Sequence, residues 1–205
     1  NAFKNCQNIN YVTIHNSITF IGDNAFEGCI NMTDLFFENN SKLKTITPNC
    51  FKGCSKLIQV KFPKTITSIG KNAFKDCISL LQFGYSSENT ITSIGESAFE
   101  NCKKLQKVSF PTTLTTIGVN AFKGCTDIYV ITKRENNNMP SLSNIGINIV
   151  YILCGTDTPI TTDYDYNSTQ DYSNAVEFYI KTPIKITAQE SAAQSNYDNQ
   201  LGDII

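Results

Sequence analysis

Eight cysteines and one histidine are the residues of this 205-residue chain best equipped for chemistry. A thiolate can attack carbon, hold a soft metal or form a disulfide, and an imidazole can move a proton near neutral pH. The single histidine, His15, excludes any mechanism that needs two. No cysteine or serine of recognisable catalytic context accompanies it, and Asp34 alone does not make a triad, so it reads as an ordinary surface histidine. Cys50 and Cys54 share one face of a turn, but no second ligand pair of suitable spacing follows, so no zinc site is expected. Asp163, Asp165, Asn167 and Asp171 place oxygens at positions 1, 3, 5 and 9 of a calcium-loop-like run. Ser168 stands where the sharp turn wants glycine and Asn174 where a bidentate glutamate closes the site, which leaves a polar loop. No catalytic residue, metal or cofactor is expected.

The cysteines make more sense as architecture. Cys6, Cys29, Cys54, Cys77, Cys102 and Cys125 are separated by 23, 25, 23, 25 and 23 residues. A disulfide framework has no reason to be periodic, whereas a repeat does. Three residues after each come Ile9, Met32, Leu57, Leu80, Leu105 and Ile128; six after come Val12, Leu35, Val60, Phe83, Val108 and Ile131. A second apolar pair follows (Ile18/Ile21, Leu43/Ile46, Ile66/Ile69, Ile91/Ile94, Leu114/Ile117), and Ala-Phe or Cys50-Phe51 closes each coil. Periods of about 20 to 29 residues indicate a leucine-rich-repeat solenoid. One such coil cannot bury its own apolar side, so stacked coils bury it against each other. The segment ending Val108-Ser109-Phe110 alternates as a half-buried strand should, and Pro63 and Pro111 end two such strands. Ile66-Thr-Ser-Ile69 and its equivalents form a second, β-branched extended arm. Asn-Ala-Phe-Lys-Gly-Cys is short enough for a helical turn or 3₁₀ corner. The cysteine column is then a ladder of buried free thiols. Coils lie about 5 Å apart, a distance that permits disulfides, but parallel side chains pointing one way disfavour them.

The fold class read here is an α/β-type repeat solenoid, a right-handed leucine-rich-repeat superhelix of mostly strand with short helical corners and an irregular C-terminal cap. The pattern Cys-x2-Leu-x2-Val-x-Phe-Pro-x3-Ile-x2-Ile-Gly-x3-Ala-Phe-x2-Cys, carried almost completely by residues 54–77 and 102–125, resembles the BspA-like, or Treponema pallidum-type, leucine-rich repeats. That resemblance covers roughly residues 1–133. It implies surface or secreted proteins of bacteria and parasitic protists, often linked to adhesion to host matrix proteins or other cells, with no catalytic motif to carry over.

The solenoid is expected over residues 1–154, with residues 142–154 as a degenerate last coil, and a cap, linker or tail over 155–205. Residues 176–180 and 184–186 read as strands able to cover the open end. The chain begins on the tail of a coil, as a fragment of a longer array would, so the missing signal peptide says nothing of secretion. Two coils carry two extra residues at the same place, at 38–41 and 84–89, so both loops project from one edge. Drift in a tolerant loop and a ridge beside the concave face both fit.

The positions five, seven and nine after each cysteine face solvent on the strand side: Tyr11, Thr13, His15; Asp34, Phe36, Glu38; Gln59, Lys61, Pro63; Gln82, Gly84, Ser86; Lys107, Ser109, Pro111; Val130, Thr132, Arg134. Phe36 is an aromatic between two acids, the composition interfaces use; it could equally lean on neighbouring strands. Asn31, Asn39 and Asn167 head glycosylation triplets. A net charge of −1 from 17 basic and 18 acidic residues removes the footprint of a nucleic-acid binder. No apolar run reaches the roughly 20 residues of a membrane-spanning helix. The expected partner is a protein: a host, matrix or other cell-surface protein bound by the concave face. Self-association through solenoid ends or edges is the second reading.

Overall fold

The computed structural model describes residues 1–84, 90–125, 128–132, 146, 149–154 and 184–187. Within these the strands are β1 (Tyr11–Ile14), β2 (Asp34–Phe37), β3 (Thr45–Ile46), β4 (Gln59–Lys61), β5 (Ser68–Ile69), β6 (Gln82–Gly84), β7 (Ser93–Ile94), β8 (Lys107–Phe110), β9 (Thr116–Ile117), β10 (Ile128–Thr132), β11 (Ile149–Cys154) and β12 (Ile184–Thr187). The first strand of each coil enters a long sheet in the order β1-β2-β4-β6-β8-β10-β11-β12, and the second arm enters a short sheet in the order β3-β5-β7-β9. All pairings are parallel except β11 with β12. This is a parallel-strand solenoid. The expected solvent-in, solvent-out alternation holds in β4, where Val60 is buried between exposed Gln59 and Lys61. The arm of the first coil, residues 18–21, forms no strand, and Phe20 stays exposed.

The β-branched arm has a second use beyond extended propensity. The hydroxyls of Thr67, Thr92 and Thr115 donate to the carbonyls of Lys44, Thr67 and Thr92 at 3.2, 3.1 and 3.0 Å, each reaching back one coil. The loop at residues 38–41 turns through Asn40 (φ 60°), and its buried Ser41 accepts the Leu43 N–H at 3.3 Å. The matching addition lies, beyond Gly84, outside the described residues, as do most of the expected last coil and cap; β12 alone represents residues 155–205.

Two expectations need correcting. The corners contain no helix among the described residues; they are turns whose amides alternate in direction. Ala25, Glu27 and Cys29 donate to carbonyls three residues back, each at 3.2 Å, while Asn24, Phe26 and Gly28 donate to Pro48, Cys50 and Lys52 of the next coil at 3.1, 2.9 and 2.8 Å. A 3₁₀ turn would keep every amide inside its own coil. Left-handed φ angles at Asn24 (56°) and Gly28 (75°) permit the alternation, and Asn49/Gly53, Asn72/Asp76, Ser97/Asn101 and Asn120/Gly124 repeat it. Asn, Asp and Gly tolerate that region best, which is why they occupy these columns. The second correction concerns β10. Val130, and not Ile131, pairs with the core residue Val108, and Thr132 pairs with Phe110. The sixth coil reaches its strand one residue early, and a shift of one exchanges the two faces. In register Thr132 therefore pairs with Phe110, not with Ser109, which stands at the same distance from its own cysteine.

The core is a set of columns. Phe3, Phe26, Phe51, Phe74, Phe99 and Phe122 stack with centroids 5.2 to 5.4 Å apart and planes within 13°. Coil spacing also explains one glycine column. A Cβ on Gly95 would lie 2.7 Å from the backbone C of Gly70 and N of Lys71, whereas one on Gly22 meets only the Phe20 ring at 3.8 Å. On the outside of the corner, Glu27 pairs with Lys4 at 2.8 Å and Lys52 at 3.4 Å, and Glu100 pairs with Lys75 at 2.9 Å. Hydrogen bonding from Lys4 holds the Glu27 carboxyl below the usual range, and hydrogen bonding from Lys75 does the same for Glu100, each against a partial burial that pushes the other way.

Gly95→Ala should destabilise the solenoid by about 1–3 kcal/mol, the cost of forcing atoms into packed backbone, while Gly22→Ala stays near neutral; urea unfolding midpoints distinguish them. A carboxyl held low in the folded state stabilises fully above the unfolded glutamate value of about 4.3 and loses that contribution as pH falls through its folded value. The unfolding midpoint should accordingly drop between about pH 5 and 3, and Glu100→Gln should shallow that drop.

Candidate functional site

The outward rows of the long sheet are set by register. Tyr11, Asp34, Gln59, Gln82 and Lys107 are successive partners across β1, β2, β4, β6 and β8. Beside that row run Thr13 paired with Phe36, and Lys61 paired with Gly84. Lys107 and Ser109 hold their expected positions along β8, though their side chains lie outside the described residues, as do Ser86 and Arg134. Phe36 is 52% exposed and Tyr11 69%, so neither lies flat against the sheet. Because Tyr11 pairs with Asp34 and Thr13 with Phe36, the two aromatics stand diagonally on adjacent strands. Lys61, Thr13 and Gln59 are exposed around them.

The two acids flanking Phe36 behave differently from simple rim charges. Asp34 accepts the Thr33 hydroxyl at 2.7 Å. Glu38 accepts the Asn16 N–H at 3.1 Å and lies 3.5 Å from His15 Nε2. Both are half-buried; Glu38 holds the backbone of the turn after β1, and Asp34 holds a neighbouring hydroxyl. The sequence gives His15 no obvious serine, yet the fold places Ser17 Oγ 2.7 Å from its Nδ1, which also accepts the Ser17 N–H at 3.2 Å. Serine, histidine and glutamate thus meet, but on an open turn with the imidazole 62% exposed. Charge development there is screened by water, so the cluster serves to close the turn after β1.

The thiols are occupied as well as hidden. Cys29, Cys54, Cys77, Cys102 and Cys125 donate to the carbonyls of Phe3, Phe26, Phe51, Phe74 and Phe99, each in the preceding coil, at 3.2 to 3.3 Å. Seven of the eight cysteines, these five with Cys6 and Cys50, are free. Burial pushes the Cys50 and Cys125 thiols up to about 12 and raises Cys29, Cys54, Cys77 and Cys102 in the same sense. Such thiols carry almost no thiolate at neutral pH and make poor nucleophiles and metal ligands.

Of the glycosylation triplets, Asn39 is exposed on its loop, Asn31 donates its amide to the Gln7 carbonyl at 2.8 Å, and Asn167 lies outside the described residues. Sequence reasoning missed an exposed aliphatic group, Ile30, Ile58, Ile78 and Leu81, on the edge beside the long sheet. Its signal was available: these side chains interrupt columns that are otherwise polar.

Two solved structures share the fold. The pneumococcal vaccine antigen PcpA superposes with a TM-score of 0.58 at 24% identity, covering 64% of this chain and 37% of that one. The T. pallidum leucine-rich repeat protein gives 0.52 at 24% identity, covering 59% and 58%. The chain therefore spans a little over a third of the first structure's length and under two thirds of the second's. No curated protein is significantly similar to it. Among the described residues no helix is long and apolar enough to cross a membrane. The profile described as BspA type leucine rich repeat region matches residues 1–90 and 85–145 in six copies. With its thiol and phenylalanine columns stacked coil on coil, the chain belongs to the BspA-type leucine-rich repeat family.

Proposed function

We propose that this chain is a non-catalytic protein-binding module of a cell-surface or secreted protein, adhering to a host, matrix or other cell-surface protein through the outer face of its long sheet. Leucine-rich repeats in general serve protein interaction, and solenoids use their extended faces for it. One observation carries the assignment of the face. At the position seven after the cysteine, successive coils carry Thr13, Phe36, Lys61, Gly84 and Ser109. The core columns beneath stay apolar while this row changes in every coil, so folding does not demand an aromatic there. Phe36 nevertheless stands half in water, with Tyr11 diagonal to it and Lys61 following in the row. An exposed aromatic ringed by polar groups is the composition of a binding hot spot. Gln59, Gln82, Lys61 and Thr13 supply adaptable hydrogen bonds, and Lys107 and Ser109 extend the rows. This reading assigns no catalytic role, since the thiols of Cys29, Cys50, Cys54, Cys77 and Cys102 are buried and His15 is committed to a turn.

Binding of the purified chain to immobilised matrix proteins and to intact host cells tests the reading. Phe36→Ala should weaken binding about tenfold or more, roughly 1.4 kcal/mol, and Lys107→Ala should weaken it less, both with unchanged urea midpoints. A native protein resistant to surface biotinylation and confined inside the cell would reverse the assignment.

A further inference from the structure

Each coil solves the same folding problem with different outer residues, so the repeat provides an internal comparison for every surface position. One residue after the cysteine stand Gln7, Ile30, Ser55, Ile78 and Lys103; four after stand Asn10, Thr33, Ile58, Leu81 and Gln106. Coils with polar residues at these places stack as well as coils with Ile or Leu. The fold therefore does not require the apolar ones, yet Ile30, Ile58, Ile78 and Leu81 remain 39, 43, 43 and 38% exposed. Ile58, Ile78 and Leu81 lie on adjacent coils, and Ile30 stands one coil before Ile58 with Ser55 next in its own column. The Leu81 N–H donates to the Ile58 carbonyl at 2.9 Å, Ile78 and Leu81 flank the turn closed by the Leu80 N–H on the Cys77 carbonyl at 3.1 Å, and Ser55 Oγ donates to the Ile30 carbonyl at 3.3 Å. The result is an aliphatic ridge along the edge where coils enter the long sheet, apart from the face that carries Phe36. Single exposed apolar residues are ordinary, whereas contiguous ones with polar flanks mark interaction surfaces.

The flanking charge has one sign. Residues 30–33, 55–58, 78–81 and 103–106 contain Lys56, Lys103 and Lys104 and no acid. At the corner, Lys4, Lys52, Lys71 and Lys75 are matched by Glu27, Glu96 and Glu100. Lys56, Lys103 and Lys104 are exposed and meet no acidic partner among the described residues. We propose that this ridge is a second docking surface, independent of the Phe36 face, and that its occupant is a protein segment with an apolar face bordered by acidic side chains. Aliphatic contact would anchor such a segment and the lysines would steer it and set its polarity.

Three fluorescent synthetic peptides test this by anisotropy: one amphipathic helix former with leucines on one face and glutamates on the other, the same with lysines for glutamates, and the glutamate version with serines for leucines. The leucine–glutamate peptide should bind, and bind more weakly as salt rises. The pair Ile58→Ser with Leu81→Ser, which introduces the polar character other coils already carry, should cut its affinity roughly tenfold or more, as should Lys103→Glu with Lys104→Glu. Urea midpoints report that these variants stay folded, and Phe36→Ala should leave peptide binding intact while weakening any matrix or cell binding. Equal binding of the lysine peptide, no binding of the glutamate peptide, or unchanged affinity in both folded double variants would overturn the proposal, and none of these results depends on the Phe36 face.

Discussion

The hydrogen-bonded spacing between neighbouring coils governs everything else in this protein. Backbone amides reach across that gap in both sheets and, by alternating direction, in the corners as well. Once the gap is fixed, a side chain directed inward has a partner of the same kind directly above and below it. Ring size, thiol size and the absence of a Cβ at Gly95 are all consequences. A coil that departs from the pattern must do so without changing the gap. The loop at residues 38–41 does it with one left-handed asparagine and one buried serine.

That constraint divides the chain's chemistry into two populations. Groups directed inward are committed. The thiols, the most reactive side chains by type, are held over phenylalanine carbonyls of the preceding coil, which gives those carbonyls a further donor and removes the sulfur from solution chemistry. This accounts for cysteine at the position better than size alone, since alanine would fit but offer no donor. Groups directed outward are bound only by local needs. Where a local need exists it is met by a nearby acid or hydroxyl, as with Glu38 at the turn after β1 and the threonines of the short sheet.

A scaffold of this kind favours recognition over catalysis. Its variable residues lie on open surfaces, where charge is screened and water is not excluded. What such a surface offers is area, shape and a pattern of charge that can change coil by coil. The aromatic diagonal of Tyr11 and Phe36 and the aliphatic ridge of Ile58 and Leu81 are two local departures from a polar ground state, on different aspects of the same coils.

The sequence by itself determined the repeat, its period, the identity of the core columns and the family, because burial against an identical neighbour imposes the same residue type at the same interval. Alternation along a strand is a local property, and on that ground the sequence also implied outward rows, along which Tyr11, Thr13, Phe36, Gln59 and Lys61 are exposed. Tertiary structure decided what depends on hydrogen-bond direction and register. The corners became turns and not helices because half of their amides serve the next coil, something no single coil's sequence states. Thr132 pairs with Phe110 and not with Ser109 because register follows backbone pairing with β8, not distance from Cys125. The meeting of His15, Ser17 and Glu38, and the joining of Ile58 to Leu81, required the coils to be stacked, since residues over 20 positions apart become neighbours only when one turn of chain lies on the next.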